Sequence, residues 1–305
     1  MKPEIFAVAG GKGGVGKSVT SILLARAFSL ADKKTVLVDG DLGGANLHTL
    51  VGMNYPQYGL IDFLLGRVQS LEDILLYTPD KNVRLISGAG DFLGMANLKW
   101  TVKAKLIRHL KNLDADRVII DLGAGASFNT LDLFLTAKKH VVVLSPEPTS
   151  LQNLCEFLKY CVGRLLYAKF SKDEKVKLLL DRFVFPNRPD SNITLGEFLE
   201  KLTSGNNQLS REINTVLQNF QPYVVVSMAE NQAEATKYFN MVEKTAKKYF
   251  KMNLSLLCTV FREEIIHDYI RNSRSLFAID TGANHYSLMK MGQVLNRKTS
   301  RLVGY

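Results

Sequence analysis

The run Gly10-Gly11-Lys12-Gly13-Gly14-Val15-Gly16-Lys17-Ser18 constrains this chain more than any other stretch. It follows the apolar segment Ile5-Phe6-Ala7-Val8-Ala9, which reads as a buried strand, and opens Val19 to Leu30, which reads as an amphipathic helix. From Gly11 to Ser18 it satisfies G-x-x-x-x-G-K-[ST], the P-loop pattern, in the strand, loop, helix setting that the pattern requires. The chemistry follows from the residue types. Successive glycines let backbone amides point inward around phosphate oxygens, the helix start adds its positive end, and Lys17 adds a mobile cation. Gly11, Gly13, Gly14, Val15, Gly16, Lys17, Ser18 and Val19 are therefore the candidate nucleotide-binding residues, with the Ser18 hydroxyl on magnesium. A glycine-rich turn without a ligand would leave Lys17-Ser18, the strand and the helix a coincidence.

Two further apolar runs end in aspartate. Thr35-Val36-Leu37-Val38-Asp39 is followed by Gly40-Asp41-Leu42-Gly43-Gly44-Ala45-Asn46, and Arg117-Val118-Ile119-Ile120-Asp121 by Leu122-Gly123-Ala124-Gly125-Ala126-Ser127. Open α/β sheets place ligand chemistry at the carboxyl ends of their strands, so Asp39, Asp41 and Asp121 belong beside the phosphate loop. Asp121 has the Walker B form, an apolar run that carries a carboxylate to a magnesium site. The glycines after it let the segment change course when a γ-phosphate leaves. A single aspartate in such a place can simply cap a turn. Two of them flanking Gly40 are harder to explain that way.

Lys12 asks for a reason of its own, because a P-loop needs no lysine there. The run Lys12-Gly13-Gly14-Val15-Gly16-Lys17-Ser18 resembles the deviant Walker A signature of the MinD/ParA family of ATPases. That resemblance implies a catalytic set of Lys12, Lys17 and Asp41: Lys12 reaches the nucleotide of a partner subunit, and Asp41 orients the attacking water. It also implies that Asp39, Asp121 and Ser18 hold the Mg2+ shell, and that Asp41 and Gly43 form switch I while Gly123 and Gly125 belong to switch II. The stretch Asp121-Leu122-Gly123-Ala124-Gly125-Ala126-Ser127, which lacks the proline many relatives carry, is most similar to the flagellar-number regulator branch, FlhG. The implied protein binds ATP and Mg2+, forms an ATP-dependent homodimer and answers to a regulatory protein partner. Its implied fold is α/β, a P-loop NTPase three-layer sandwich with a mostly parallel central sheet. Only a few residues precede the first strand, so the N-terminal activator segment of such relatives has no counterpart here, and stimulation of a signal-recognition-type GTPase is not expected.

Residues 1–305 are expected to form a single domain, and a hydrophobic content of 46% suffices for its core. Short helical patterns at Leu60 to Leu65 and Leu71 to Leu76 precede a strand at Val83 to Gly88. Trp100 to Leu113 is amphipathic, with Val102, Leu106, Leu110 and Leu113 inward and Lys103, Lys105, Arg108 and Lys111 mostly turned away. A strand at His140 to Leu144 leads to a long helix with Thr149 or Ser150 as its N-cap. A helical insertion covers about 168–223, a strand resumes at Val224 to Met228, and a helix follows from Ala233 to Phe250. Where relatives carry an asparagine that reads adenine, this chain offers Ser227, with Asn231 and Asn187 as alternatives. Leu254, Leu256, Cys258 and Val260 alternate through a last strand, and a helical tail spans about 285–305.

Charge and cysteine content narrow the class. No apolar run is long enough to span a bilayer and no signal segment precedes the first strand, so a cytoplasmic protein, or one peripheral at the inner membrane, is expected. Cys155, Cys161 and Cys258 have no C-x-x-C spacing, which fits reduced thiols and disfavours an iron-sulfur carrier. A net charge of +10 favours an anionic partner without naming it. Leu288, Met291, Leu295 and Leu302 with Lys290, Arg297, Lys298 and Arg301 give the tail an amphipathic character suited either to a membrane surface or to docking on the sheet. A DNA-partitioning ATPase of ParA type, binding nonspecific nucleic acid, is the alternative reading.

Overall fold

A computed structural model describes residues 2–90, 98–184, 195–204, 207–279, 282 and 284–296. Eight strands form one sheet: β1 Glu4–Ala9, β2 Thr35–Gly40, β3 Leu76–Tyr77, β4 Val83–Ile86, β5 Arg117–Leu122, β6 Lys139–Leu144, β7 Tyr223–Ala229 and β8 Ser255–Phe261. Their order is β3-β4-β2-β5-β1-β6-β7-β8. Every pairing is parallel except β3 with β4, at one edge. The expected α/β sandwich is therefore the fold. Parallel strands need crossovers that cover both faces, and β1 shows the result: Ile5, Ala7 and Ala9 pack in one core, Phe6 and Val8 in the other.

The helices divide accordingly. The crossover helix α1 (Lys17–Ser29) and the short α2 (Leu47–Leu50) pack on the Phe6 side, joined later in the chain by α11 (Glu264–Arg271) and α12 (His285–Asn296). On the Ile5 side lie α3 (Leu60–Leu64), α4 (Trp100–Leu110), α5 (Phe128–Thr136), α6 (Pro148–Phe170), α7 (Glu174–Val184), α8 (Leu195–Thr203), α9 (Asn207–Asn219) and α10 (Gln232–Thr245). The insertion helices α7, α8 and α9 send Val176, Leu180, Phe198, Leu199, Ile213 and Leu217 into that same core.

Three local expectations are corrected. Leu71 to Leu76 is a 3₁₀ turn at Glu72–Ile74 followed by the antiparallel strand β3, because Leu76 and Tyr77 can pair with Leu85 and Arg84 at an otherwise open edge. The N-cap of α6 is Glu147, in extended geometry with Pro148 at the first helical position; the Ser150 hydroxyl instead accepts the Ser145 N–H at 3.1 Å. Lys103 does not turn away. It is buried, with Nζ 2.8 Å from Asp132 Oδ2 on α5, while Arg164 Nε of α6 donates to Asp132 Oδ1 at 2.8 Å.

The tail takes one of its two expected places: Leu288, Met291 and Leu295 of α12 are buried against α1 and β8, so this part of the apolar stripe docks on the core. Detaching α12 would leave the apolar residues of α1 and β8 that it covers open to water, at about 1.5–3 kcal/mol for each large side chain uncovered. The remainder of that pattern, 297–302, lies outside the described residues, as does Asn187. Among the described residues no helix is long and apolar enough to cross a membrane.

The Asp132 cluster fixes α4, α5 and α6 to one another, and removing one partner leaves a buried carboxylate short of a cation. Lys103→Ala is expected to lower unfolding free energy by about 2–4 kcal/mol, against less than about 0.5 kcal/mol for the neighbouring Arg108→Ala on the exposed face. Urea titration of both variants checks the difference.

Candidate functional site

All the carboxyl ends of the parallel strands lie on one edge of the sheet, and β1, β2, β5 and β7 deliver the sequence-predicted residues there. The phosphate loop turns between β1 and α1. Gly14 and Gly16 have φ of 77° and 87°, values that side chains resist, and Gly16 is the N-cap of α1. Gly11 is needed for a different reason: a Cβ there would lie 2.1 Å from the Asn153 carbonyl of α6. Val15 packs inward in the α1-side core, and Val19 follows in the first turn of α1. Gly13 faces the segment after β5, 4.0 Å from the Ala124 Cβ. That segment closes on the loop through the Gly125 N–H, which donates to the Gly10 carbonyl at 3.2 Å with Gly125 at φ 78°.

Below the loop, Asp39 and Asp121 are direct neighbours in the register of β2 and β5, and both are buried. Burial raises Asp39 to about 7, opposed by N–H groups of Leu47 (3.0 Å) and Asp41 (3.3 Å) and reinforced by the charge of Asp121. Burial likewise raises Asp121 to about 6, against hydrogen bonds from the Ser18 and Ser21 hydroxyls, Ser21 Oγ at 2.9 Å, and the charge of Lys17. Lys17 is buried as well. Desolvation pulls it below the ordinary lysine range, against Asp121 and Asp41, and its Nζ reaches back to the Lys12 carbonyl at 3.4 Å.

Asp41 sits over the backbone after β5: a Cβ on Gly123 would meet its Oδ1 at 2.9 Å. Gly43 has open space around it, and the Gly44 N–H donates to the Asp41 carbonyl at 3.1 Å. Lys12 stands at the rim, partly exposed, with Nζ 2.8 Å from Glu147 Oε2 and 3.2 Å from Thr149 Oγ1. Ser227 is buried at the end of β7 directly against Gly16, where an added Cβ would lie 2.4 Å from its Oγ. Together with Val19, Met228, Phe261, Arg262 and Glu263 it lines a groove beside the loop.

This constellation fits a magnesium nucleotide. Two buried carboxylates with raised proton affinity, crowded together beside one ammonium, form a hard oxygen donor set whose excess charge a divalent cation would neutralise. Reasoning from sequence missed Ser21, Glu147 and Thr149. Ser21 had a signal, since it lies one turn after Ser18 on the same face of α1; nothing in the sequence tied Glu147 or Thr149 to Lys12.

A profile of the CobQ/CobB/MinD/ParA nucleotide binding domain matches residues 6–302. The chain belongs to this nucleotide-binding family. It is 33% identical over 158 residues to the antiactivator FleN of Pseudomonas aeruginosa, covering 51% of this chain and 55% of FleN, so the match spans about half of each. The septum site-determining protein MinD of Thermotoga maritima is 28% identical over 229 residues, covering 73% of this chain and 78% of MinD. Among solved structures, MinD of Pyrococcus horikoshii complexed with Mg-ADP shares the fold at a TM-score of 0.58 and 19% identity, covering 97% and 96% of the two chains.

The raised Asp39 has a consequence for the nucleotide-free protein. The native state keeps that proton from the ordinary 3.8 up to about 7, while the unfolded chain has lost it, so stability from this group falls as pH rises through that window. Asp39→Asn has no proton to lose. Its stability relative to the parent chain is expected to rise by a few kcal/mol between about pH 4 and about pH 7.5 and then level, as measured by urea unfolding in EDTA.

Proposed function

We propose that this protein is a magnesium-dependent ATPase that works as an ATP-dimerised switch controlling flagellar number or placement. The observation that carries the switch is Lys12, a second lysine in the phosphate loop, partly exposed at its rim and engaged by side chains of its own chain rather than by the interior of the site. The FlhG-like sequence after β5 and the likeness to FleN support the cellular role.

In this reading the triphosphate lies on the amides of Gly13 to Val19, and Lys17 balances its charge. Lys12 gives up Glu147 and Thr149 to reach the nucleotide of a second copy. Asp41 holds water in line with the γ-phosphate. Ser18, Asp39 and Asp121 hold the magnesium shell, with Ser21 orienting Asp121. Bound magnesium supplies charge neutralisation on the phosphate oxygens. Loss of the γ-phosphate frees the turns at Gly43 and at Gly123 to Gly125, and the Gly125 to Gly10 hydrogen bond carries that change to the phosphate loop. Ser227 borders the base. Catalysis by positioning and charge alone makes slow basal turnover the expectation until a regulatory protein completes the site.

One observation favours a second reading, nucleic-acid binding of the partitioning type. From Thr236 onward the exposed positions of α10 and of the π turn after it (Ala246–Phe250) include Lys237, Lys244, Lys247 and Lys248, continued by Lys251, against one partly exposed acid, Glu243, which pairs with Lys247 at 2.8 Å. Such a run of lysines suits phosphate backbone.

Light scattering after size exclusion tests the switch: a dimer with ATP and a monomer with ADP are expected, and a monomer with both overturns it. Lys17→Ala is expected to abolish ATP binding in calorimetry. Lys12→Ala is expected to keep ATP binding and lose the dimer, while Asp41→Ala keeps the ATP dimer and loses at least about a hundredfold in turnover. ATP-dependent, steeply salt-sensitive binding to a random DNA duplex that disappears in Lys237→Gln/Lys244→Gln/Lys248→Gln moves the assignment to the second reading.

A further inference from the structure

One buried side chain ties the C-terminal helix to the wall of the groove beside the phosphate loop. Asn284, fully buried just before α12, accepts the Phe261 N–H through Oδ1 at 2.8 Å and donates through Nδ2 to the Phe261 carbonyl at 3.1 Å. Phe261 ends β8, the last strand of the sheet, and the side-chain amide makes there the two hydrogen bonds that a further strand would have made. Nδ2 also donates to Glu263 Oε1 at 2.7 Å, and the Asn284 backbone N–H donates to that same oxygen at 3.0 Å. Between the two anchored residues, the Arg262 N–H donates to the Ala229 carbonyl at the end of β7, at 3.0 Å.

The segment Phe261-Arg262-Glu263 is thus held from both flanks, and it forms one side of the groove whose other side is Gly16, Val19, Ser227 and Met228. The opposite side is fixed as well. Met228 turns at φ 60°, a value costly for a side chain, and Ser227 is wedged on Gly16. The Phe261 to Glu263 side takes its place from a part of the sequence that does not itself line the groove. That part is α12, which also packs along α1, the helix that begins at the phosphate loop. The same C-terminal helix therefore sets the spacing between the phosphate end of the groove and its far wall.

We propose that Asn284 is a positioning residue for the nucleoside end of the bound nucleotide: it holds Phe261-Arg262-Glu263 at the distance from Gly16 that admits a base, and so determines affinity for the base without affecting affinity for the phosphates. The proposal rests on the reading above that the base lies beside Ser227. An amide with three side-chain hydrogen bonds cannot be replaced without freeing this wall, whereas the phosphate loop is held by its own glycines and by α6.

The test compares two probes, Mg-ADP and Mg-tripolyphosphate, in calorimetry. Asn284→Ala is expected to weaken ADP about tenfold while tripolyphosphate stays within about twofold. Glu263→Gln removes a charge from a partly exposed group and leaves the core intact. It is expected to shift ADP affinity in the same direction by about threefold, and it carries the test if Asn284→Ala fails to fold. Equal losses for both probes, or unchanged ADP affinity in the folded variants, would overturn the proposal. If the unaltered protein binds tripolyphosphate as tightly as ATP, the base does not occupy this groove, and it is the placement beside Ser227 that fails.

Discussion

Asp39, Asp121 and Lys17 share a space from which water is nearly excluded, and much of the molecule is arranged to keep them there. Two carboxylates side by side in a sheet are unstable as anions, which is why burial pushes both up. They are tolerated because donors surround them: the Leu47 and Asp41 N–H groups, the Ser18 and Ser21 hydroxyls, and the Lys17 ammonium. Lys17, Ser18 and Ser21 come from the first turns of α1, and the two N–H groups from the chain that follows β2. The free site is thus electrostatically strained in favour of a cation, whose binding would relieve a cost already built into folding.

That strain explains why the surrounding backbone is so tightly specified. The phosphate loop lies against α6 at Gly11, against the segment after β5 at Gly13, and against β7 at Gly16, so its curvature is set by three neighbours as well as by its own glycines. A hydrogen bond from Gly125 to Gly10 connects the segment after β5 to the phosphate loop. Lys12, the feature that separates this loop from an ordinary one, is held outside the charged centre by Glu147 and Thr149 at the start of α6. The C-terminal helix completes the frame from the far side through Asn284, and its apolar face is spent on α1 and β8.

The strands that carry the site were legible because each combines an apolar run with a terminal aspartate or glycine: β1, β2 and β5 lie within a residue of where the sequence puts them. A buried parallel strand has no amphipathic alternation to misread, and its length is bounded by polar residues on both sides. Errors fell where short elements depend on a neighbour. Leu71 to Leu76 has a helical pattern, yet pairing with β4 outweighs it. Lys103 has a charge that belongs outside, yet Asp132 draws it in. The stripe Leu288, Met291 and Leu295 would look the same facing a membrane or a core, because amphipathicity records that a face is covered and not by what.

The sequence by itself determined the phosphate loop, the three aspartates, the second lysine and every strand but β3, since each of these is a matter of residue type at short range. Tertiary structure alone decided that Asp39 and Asp121 lie in register, that Ser21 supports one of them, that Glu147 and Thr149 hold Lys12, and that Asn284 closes the open edge of β8. These contacts join residues from 23 to 137 positions apart for every hydrogen bond among them. Spacing along a chain encodes local geometry, but which distant polar groups meet depends on how whole helices and strands pack, and that is settled only when the apolar faces are buried.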